Sequence, residues 1–326
     1  MEGTATLRIL RTVGRFGVLL ALVALILFGW LRYENFLGTF NVLSVLSYNS
    51  MFALVALGMC FVIITGGIDL SVGSTAALGS VVAALLSPYG ALPGLLGGLA
   101  AGLAVGACNA FIITRLNILP FITTLATMLA ASGCALLLAG NQSVSVSYES
   151  GFTELGQGDF LGFPIPAWIA LVAYLLGSLV LNLTSFGRTV LAIGGNEDAT
   201  RLMGLPAERV KALVYLASGG LAGLAGVILA AQFGAGQPIE GVGWELFAIA
   251  AVVVGGTLLT GGVGSVGSTL AGVLLLGLIF NILNFENGLG WISLSAYWQS
   301  VIRGVLLLVV VAIQARLVAQ TEDVRA

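Results

Sequence analysis

Apolar runs long enough to enter a bilayer follow one another along nearly the whole chain, and in a gap between two of them, at residues 65–74 (TGGIDLSVGS), stands an aspartate. Inside hydrocarbon a backbone must satisfy its own polar groups, so runs of this length are expected as helices. An aspartate at a helix centre costs about 2.5 to 3.5 kcal/mol on insertion scales, so Asp69 is expected to face protein, a cavity or a membrane boundary. Gly66, Gly67 and Gly73 surround it. They lower helix propensity and let backbones approach closely, which makes this a place for a helix to break. Two readings stay open: a tight turn between two spans, or a section of a transport path to which Asp69, Ser71 and Ser74 contribute.

A near copy lies downstream. Residues 52–67 read FALVALGMCFVIITGG and residues 247–262 read FAIAAVVVGGTLLTGG, 195 positions further on; SVGST at 71–75 then recurs at 265–269. Glycine-interrupted hydrophobic segments in matching places of an internal repeat point to the central pathway of a transporter. Small residues also recur wherever membrane helices pack closely. In the second copy Gly264 or nothing stands where the acid would be, so whatever Asp69 does, it does once per chain.

Composition limits the function classes. With 59% hydrophobic and 8% charged residues and a mean hydropathy of +1.09, the chain is expected to be an integral membrane protein, since soluble domains carry about a quarter charged residues. A net charge of −2 without a basic cluster argues against nucleic acid as a partner. There is no histidine, which excludes histidine catalysis, proton relay and metal ligation. Cys60, Cys108 and Cys134 are scattered through apolar runs without metal-like spacing, so neither a metal nor a cofactor is expected.

Read in order, the sequence predicts an all-α polytopic membrane protein in which residues 1–326 form a single transmembrane domain. About ten transmembrane helices are expected, at residues 16–31, 42–64, 71–87, 92–114, 118–140, 167–184, 211–233, 245–259, 265–283 and 297–315. The first is read as a retained span because no small-residue cleavage site follows it and Trp30, Arg32 and Tyr33 look like an interface anchor. Two polar intervals stand out. In 141–166 the alternation Ser143 to Ser147 predicts a short strand or extended loop. In 185–210 the stretch 196–204 (NEDATRLMG) opens on a cap-like Asn196, has two acids in the first turn and ends on Gly204, which predicts a short helix outside the bilayer. Spans eight and nine are the weak point, because the glycines of 255–267 can hide a re-entrant piece.

Ten spans put both termini on one side. Ten of the twelve basic residues fall on that side, Arg32 falls on the other and Arg303 within span ten, so the positive-inside rule makes the termini cytoplasmic. Trp30, Trp168, Trp244, Trp291 and Trp298 are all expected at the opposite, outer face. On this count spans two and eight run the same way and the repeat is parallel; an inverted repeat requires one span to be miscounted. Glu245 and Arg303, at similar predicted depth near the outer mouth, are candidates to pair across helices in the pathway, or Arg303 snorkels alone.

No GxxxxGK[ST] motif is present, so the chain does not hydrolyse ATP by that route, and nothing predicts a catalytic residue or an enzyme. Three segments, GMCFVIITGGIDLSVGS (58–74), AIGGNEDATRLMGLPAERVK (192–211) and GVGWELFAIAAVVVGGTLLTGGVGSVGS (241–268), together resemble the permease subunits of ribose-type sugar ABC importers, over roughly residues 40–315. Within that family, 241–264 followed by NFENGLGWISLSAYWQ (284–299) looks most like a permease of the galactofuranose importer. The chain departs from the family at Phe247, where an acid is common. The resemblance implies a bacterial inner-membrane subunit that passes a monosaccharide and works with two cytoplasmic ABC ATPase subunits, a second permease in a homo- or heterodimer, and a periplasmic sugar-binding protein. It also implies that residues 185–211 contact the ATPase; Asn196, Arg201, Leu202, Met203 and Gly204 are the expected coupling residues, with Leu202 and Met203 as the apolar knob. The alternatives are an ion-coupled secondary transporter of a small polar solute and a scaffold protein; the last leaves the duplicated glycine stretch unexplained.

Overall fold

The computed structural model describes residues 2–288 and, beyond them, 298, 301, 302, 304, 305 and 308. The chain runs through α1 (Glu2–Arg32), α2 (Thr39–Ile64), α3 (Val72–Leu86, with a 3-10 turn to Tyr89), α4 (Ala91–Arg115) and α5 (Pro120–Ala139). A polar stretch follows, with β1 (Val144–Ser145), α6 (Glu154–Gln157), β2 (Asp159–Phe160) and β3 (Phe163–Pro164). Then come α7 (Ile165–Leu183), α8 (Ser185–Gly195), α9 (Glu197–Leu202), α10 (Ala207–Phe233), β4 (Ala235–Gly236), α11 (Trp244–Val254) and α12 (Val266–Gly288). The strands are two-residue pairs, β1 with β4 and β2 with β3, so the alternation at Ser143 to Ser147 does form extended backbone.

Seven helices among the described residues are long and apolar enough to cross a membrane: α2, α3 with its turn, α4, α5, α7, α10 and α12. The first expected span is the apolar part of the longer α1, and most of the expected span 297–315 lies outside the described residues. Expected span eight is shorter than the sequence implies. Helix α11 stops at Val254 rather than 259, and at ~1.5 Å per residue its 11 residues cover about half the hydrocarbon thickness. Gly256 takes φ +90°, which L residues rarely adopt, and the helix ends there, where the first copy continues through Cys60 and Phe61.

α2 is the axis of the bundle. From Asn49 to Ile64 every residue on all sides of it is buried, as expected of a helix that is apolar all round and surrounded by others. α10 and α4 pack at backbone distance through glycines. Gly94, Gly98, Gly102 and Gly106 recur every four residues on α4, and a Cβ on Gly102 would lie 2.7 Å from the Gly223 Cα. The outward faces of α5 and α7 carry exposed leucines such as Leu129, Leu137, Leu175 and Leu183, an apolar belt suited to acyl chains.

The two similar sequence stretches lie side by side. Phe52 and Phe247 have ring centroids 4.5 Å apart, and at the far end of α2 the Ile64 carbonyl accepts from the amide of Gly262, in the segment that follows α11, at 2.9 Å. The two helices meet near their starts and the chain leaves both toward the same end, so α2 and α11 run in the same direction, and the first serine of each SVGST immediately precedes a helix, α3 or α12.

Candidate functional site

Asp69 sits at mid-depth of the bundle. α2 runs past the level of Ser218, near the middle of α10; Gly66, at φ +80°, then reverses the chain, and residues 67–71 return so that Asp69 meets Ser218. Gly67 is required for close approach, because a Cβ there would collide with the Tyr215 hydroxyl. The carboxylate is fully buried and accepts three hydrogen bonds, from the Ser71 amide at 3.0 Å, the Ser71 hydroxyl at 2.6 Å and the Ser218 hydroxyl at 2.8 Å. The Asn109 Nδ2 donates to Ser71 Oγ at 2.9 Å and the Thr127 hydroxyl donates to Asn109 Oδ1 at 2.6 Å. One chain of side chains thereby links the break to α4, α5 and α10, and every member of it is buried. Ser74, in the first turn of α3, is partly exposed and makes no bond in this chain.

A cavity of about 800 Å³ opens at the end of the bundle formed by the start of α2, the end of α10 and the end of α12, above the Phe52 and Phe247 rings. Ser47, Gln232 and Asn281 contribute polar wall groups, and Asp159 on the β2–β3 hairpin stands at the rim. Gln157 Nε2 bonds the carbonyls of Ala231 (3.2 Å) and Gln232 (3.1 Å), holding the hairpin segment on the end of α10. Neither Asp69 nor Ser71 lines this cavity. Phe247, where the chain departs from the family, forms part of the cavity floor, its ring centroid 6.2 Å from that of Phe280.

Glu245 is half-buried in the first turn of α11, beside the start of α3, where its Oε2 is 2.8 Å from the position a Gly73 Cβ would take. Arg303, its expected partner, lies outside the described residues. Trp244 differs from expectation: it is only 4% exposed and packs on Phe52 at 4.8 Å, because α11 begins inside the bundle rather than at a membrane face. Trp30 and Trp298 are exposed, Trp168 is half-buried with its Nε1 donating to the Phe160 carbonyl at 2.9 Å, and Trp291 lies outside the described residues.

At the opposite end lies the basic segment. Asn196 caps α9, its Oδ1 accepting from the Ala199 amide at 2.8 Å, and Gly204 ends it at φ +77°, as the sequence predicts. Glu197 fixes α9 to α10 through Lys211 (2.9 Å) and pairs with Arg201 (2.8 Å), so Arg201 is held in ion pairs that also include Glu208. Leu202 (89% exposed) and Met203 (65%) project away from the bundle instead of packing on it. The end of α8 packs under both glycine turns: a Cβ on Gly261 would lie 3.0 Å from the Gly194 Cα and 2.9 Å from the Gly66 amide.

Sequence reading missed Asn109, Thr127 and Ser218 around Asp69, and Ser47, Gln232 and Asn281 around the cavity. The available signal was an amide inside an otherwise apolar run, which in a membrane segment marks a buried network or a cavity. Among the described residues no three His, Cys, Asp or Glu side chains group together.

Comparison with known proteins adds an independent line. Residues 41–311 match the family model for the branched-chain amino acid transport system / permease component. The ribose import permease protein of Bacillus subtilis is 39% identical over 305 residues, covering 93% of each chain. The L-arabinose transport system permease protein of Escherichia coli is 37% identical over 91% of this chain and 89% of its own. The ribose import permease protein of Escherichia coli is 39% identical over 90% and 92%. No solved structure matches.

Proposed function

From the premise that this chain belongs to the family of branched-chain amino acid transport system permease components, we propose that it is the membrane-spanning permease subunit of an ATP-binding cassette importer for a monosaccharide. The protein is a transport subunit and not an enzyme; ATP hydrolysis resides in partner ATPase chains, and a periplasmic binding protein delivers the sugar. The structural observation that carries the reading is the cavity of about 800 Å³, with amide and hydroxyl walls and an aromatic floor, entering a bundle of membrane-length helices. Galactofuranose is the proposed cargo, supported by the sequence of 241–264 and 284–299, and ribose and arabinose are the comparison sugars.

Residues 1–326 form one permease domain of ten spans in a bacterial inner membrane with both termini cytoplasmic; the concentration of basic residues at the α8–α9 end supports this orientation. The side-by-side course of α2 and α11 supports a parallel repeat. Asp69, Ser71 and Ser74 act at the break in the translocation path, Asp69 as the group that holds the break closed on α10, and Glu245 with Arg303 lies along the same path. Residues 196–204 form the coupling helix, with Leu202 and Met203 docking on the ATPase; their exposure on a helix braced by Glu197 supports this. A second permease, identical or not, completes the conduit.

The test is uptake by proteoliposomes holding the chain with its ATPase and receptor, using labelled galactofuranose, ribose and arabinose. ATP-dependent accumulation of one of them is expected. Accumulation by this chain alone, driven by an ion gradient, would replace the importer reading with secondary transport.

A further inference from the structure

We propose that the cavity between α2, α10, α11 and α12 is a recognition site for an uncharged monosaccharide inside the permease itself, so that the chain selects its cargo a second time after delivery; this rests on the importer reading above.

Size permits it, since about 800 Å³ lies in the ~300–1,000 Å³ range of small-molecule sites. The floor is aromatic. Phe52 and Phe247 lie 4.5 Å apart with ring planes 41° from parallel, and Phe280 is 6.2 Å from Phe247, a surface that matches the C–H face of a sugar ring. The walls supply what hydroxyls require. Gln232 Nε2 donates to Ser47 Oγ at 3.3 Å, while its Oε1 is buried without a hydrogen-bond partner. A buried acceptor in that state is costly, and because Gln232 lines the cavity, rotation of its amide would bring Oε1 to a sugar hydroxyl there. Asn281 adds an amide that is already oriented by reciprocal bonds with Asn41 (2.8 and 3.2 Å).

Charge sets the class of ligand. No lysine or arginine occurs among the described lining residues, and Asp159 places a carboxylate at the rim. A sugar acid or sugar phosphate would enter against a like charge with no cation to receive it, so the site rejects anions as well as accepting neutral polyols.

Cysteine protection tests this without depending on ATP-driven flux. Cys108 and Cys134, both exposed, are replaced by serine; the buried Cys60 stays. Ser47→Cys and Asn281→Cys are then labelled in proteoliposomes with a small cationic methanethiosulfonate, with and without D-ribose, L-arabinose, D-galactose or D-galacturonate. At a sugar concentration about tenfold above the Kd, occupancy slows labelling roughly tenfold. At least one neutral sugar is expected to do so at both cysteines and galacturonate at neither, whereas a cysteine in place of the exposed Leu202 is unprotected. Adding Gln232→Leu is expected to remove the protection and leave the unprotected labelling rate unchanged. No labelling at either cavity cysteine would overturn the proposal, because the cavity is then closed to solutes. Labelling that no neutral sugar slows would overturn it too, leaving a passage without selection, and ATP-dependent uptake would still stand. Equal protection by galacturonate would overturn the charge argument on which the ligand class depends.

Discussion

Asp69→Leu is the most informative single change, because Asp69 holds the break between α2 and α3 while lying fully buried at mid-depth. The substitution removes the acceptor of three hydrogen bonds. The two serine hydroxyls can rotate toward other acceptors, Ser218 toward a carbonyl one turn back in α10. The Ser71 amide has no such freedom, and a buried donor left unpaired costs about 1–3 kcal/mol. Fitting a branched side chain beside Ser71 and Ser218 adds about 1–3 kcal/mol of overpacking. The loss is therefore about 2–6 kcal/mol, offset in part because a carboxylate no longer has to be kept from water. Asp69→Asn is different in kind. Its Oδ1 keeps both Ser71 bonds and its Nδ2 donates to a Ser218 hydroxyl that turns to accept, so the expected cost is below about 1.5 kcal/mol. Thermal unfolding in detergent, followed by loss of the monodisperse size-exclusion peak, should place the leucine variant roughly 10 °C below the native chain and the asparagine variant within a few degrees of it. Uptake should follow the same order. Equal destabilisation by Asn and Leu would show that the negative charge, and not the hydrogen-bond geometry, holds the break; an unchanged midpoint in Asp69→Leu would refute the account of the break altogether.

Further outcomes follow from other parts of the structure. Gly102→Val should prevent stable folding, since its Cβ alone meets α10 backbone; recovery of a monodisperse protein at native yield would refute the close packing of α4 on α10. Leu202→Glu should leave the stability within about 0.5 kcal/mol of native, as expected for an exposed site, while sugar-stimulated ATP hydrolysis by the assembled importer falls at least tenfold; retention of that activity would move the docking surface elsewhere. Tyr33, whose hydroxyl donates to Glu286 Oε1 at 2.6 Å, has its pKa pushed up to about 12 by burial and by that carboxylate. The folded value exceeds the unfolded one, so above pH 10 the unfolded chain loses a proton that the folded chain keeps, and stability should fall between pH 10 and 12. Tyr33→Phe should flatten that part of the stability profile. Charge exchange by Glu245→Arg with Arg303→Glu should restore uptake lost in either single variant if the two groups pair, and uptake no better than in the singles would remove the pair from the pathway.

What the sequence by itself determined was local or additive. Apolar runs specify membrane helices because the bilayer leaves the backbone few other ways to satisfy its polar groups, and among the described residues seven of the runs are helices of sufficient length. Asn196 and Gly204 bound α9 because capping is decided within a few residues. Gly66 marked the reversal after α2 for the same reason. The tertiary structure decided everything that depended on which residues face one another across long separations. Ser218 lies 149 positions from Asp69, and Ser47 lies 185 from Gln232; no periodicity in the chain records either meeting. Two similar stretches adopt different lengths of helix, with Gly255 and Gly256 standing where the first copy has Cys60 and Phe61. At the other end of the same helix Trp244 packs on Phe52 instead of standing at the membrane face expected of it. A glycine pair permits such a break without requiring it, and whether the chain takes it is settled by the packing of α11 between α2 and α12.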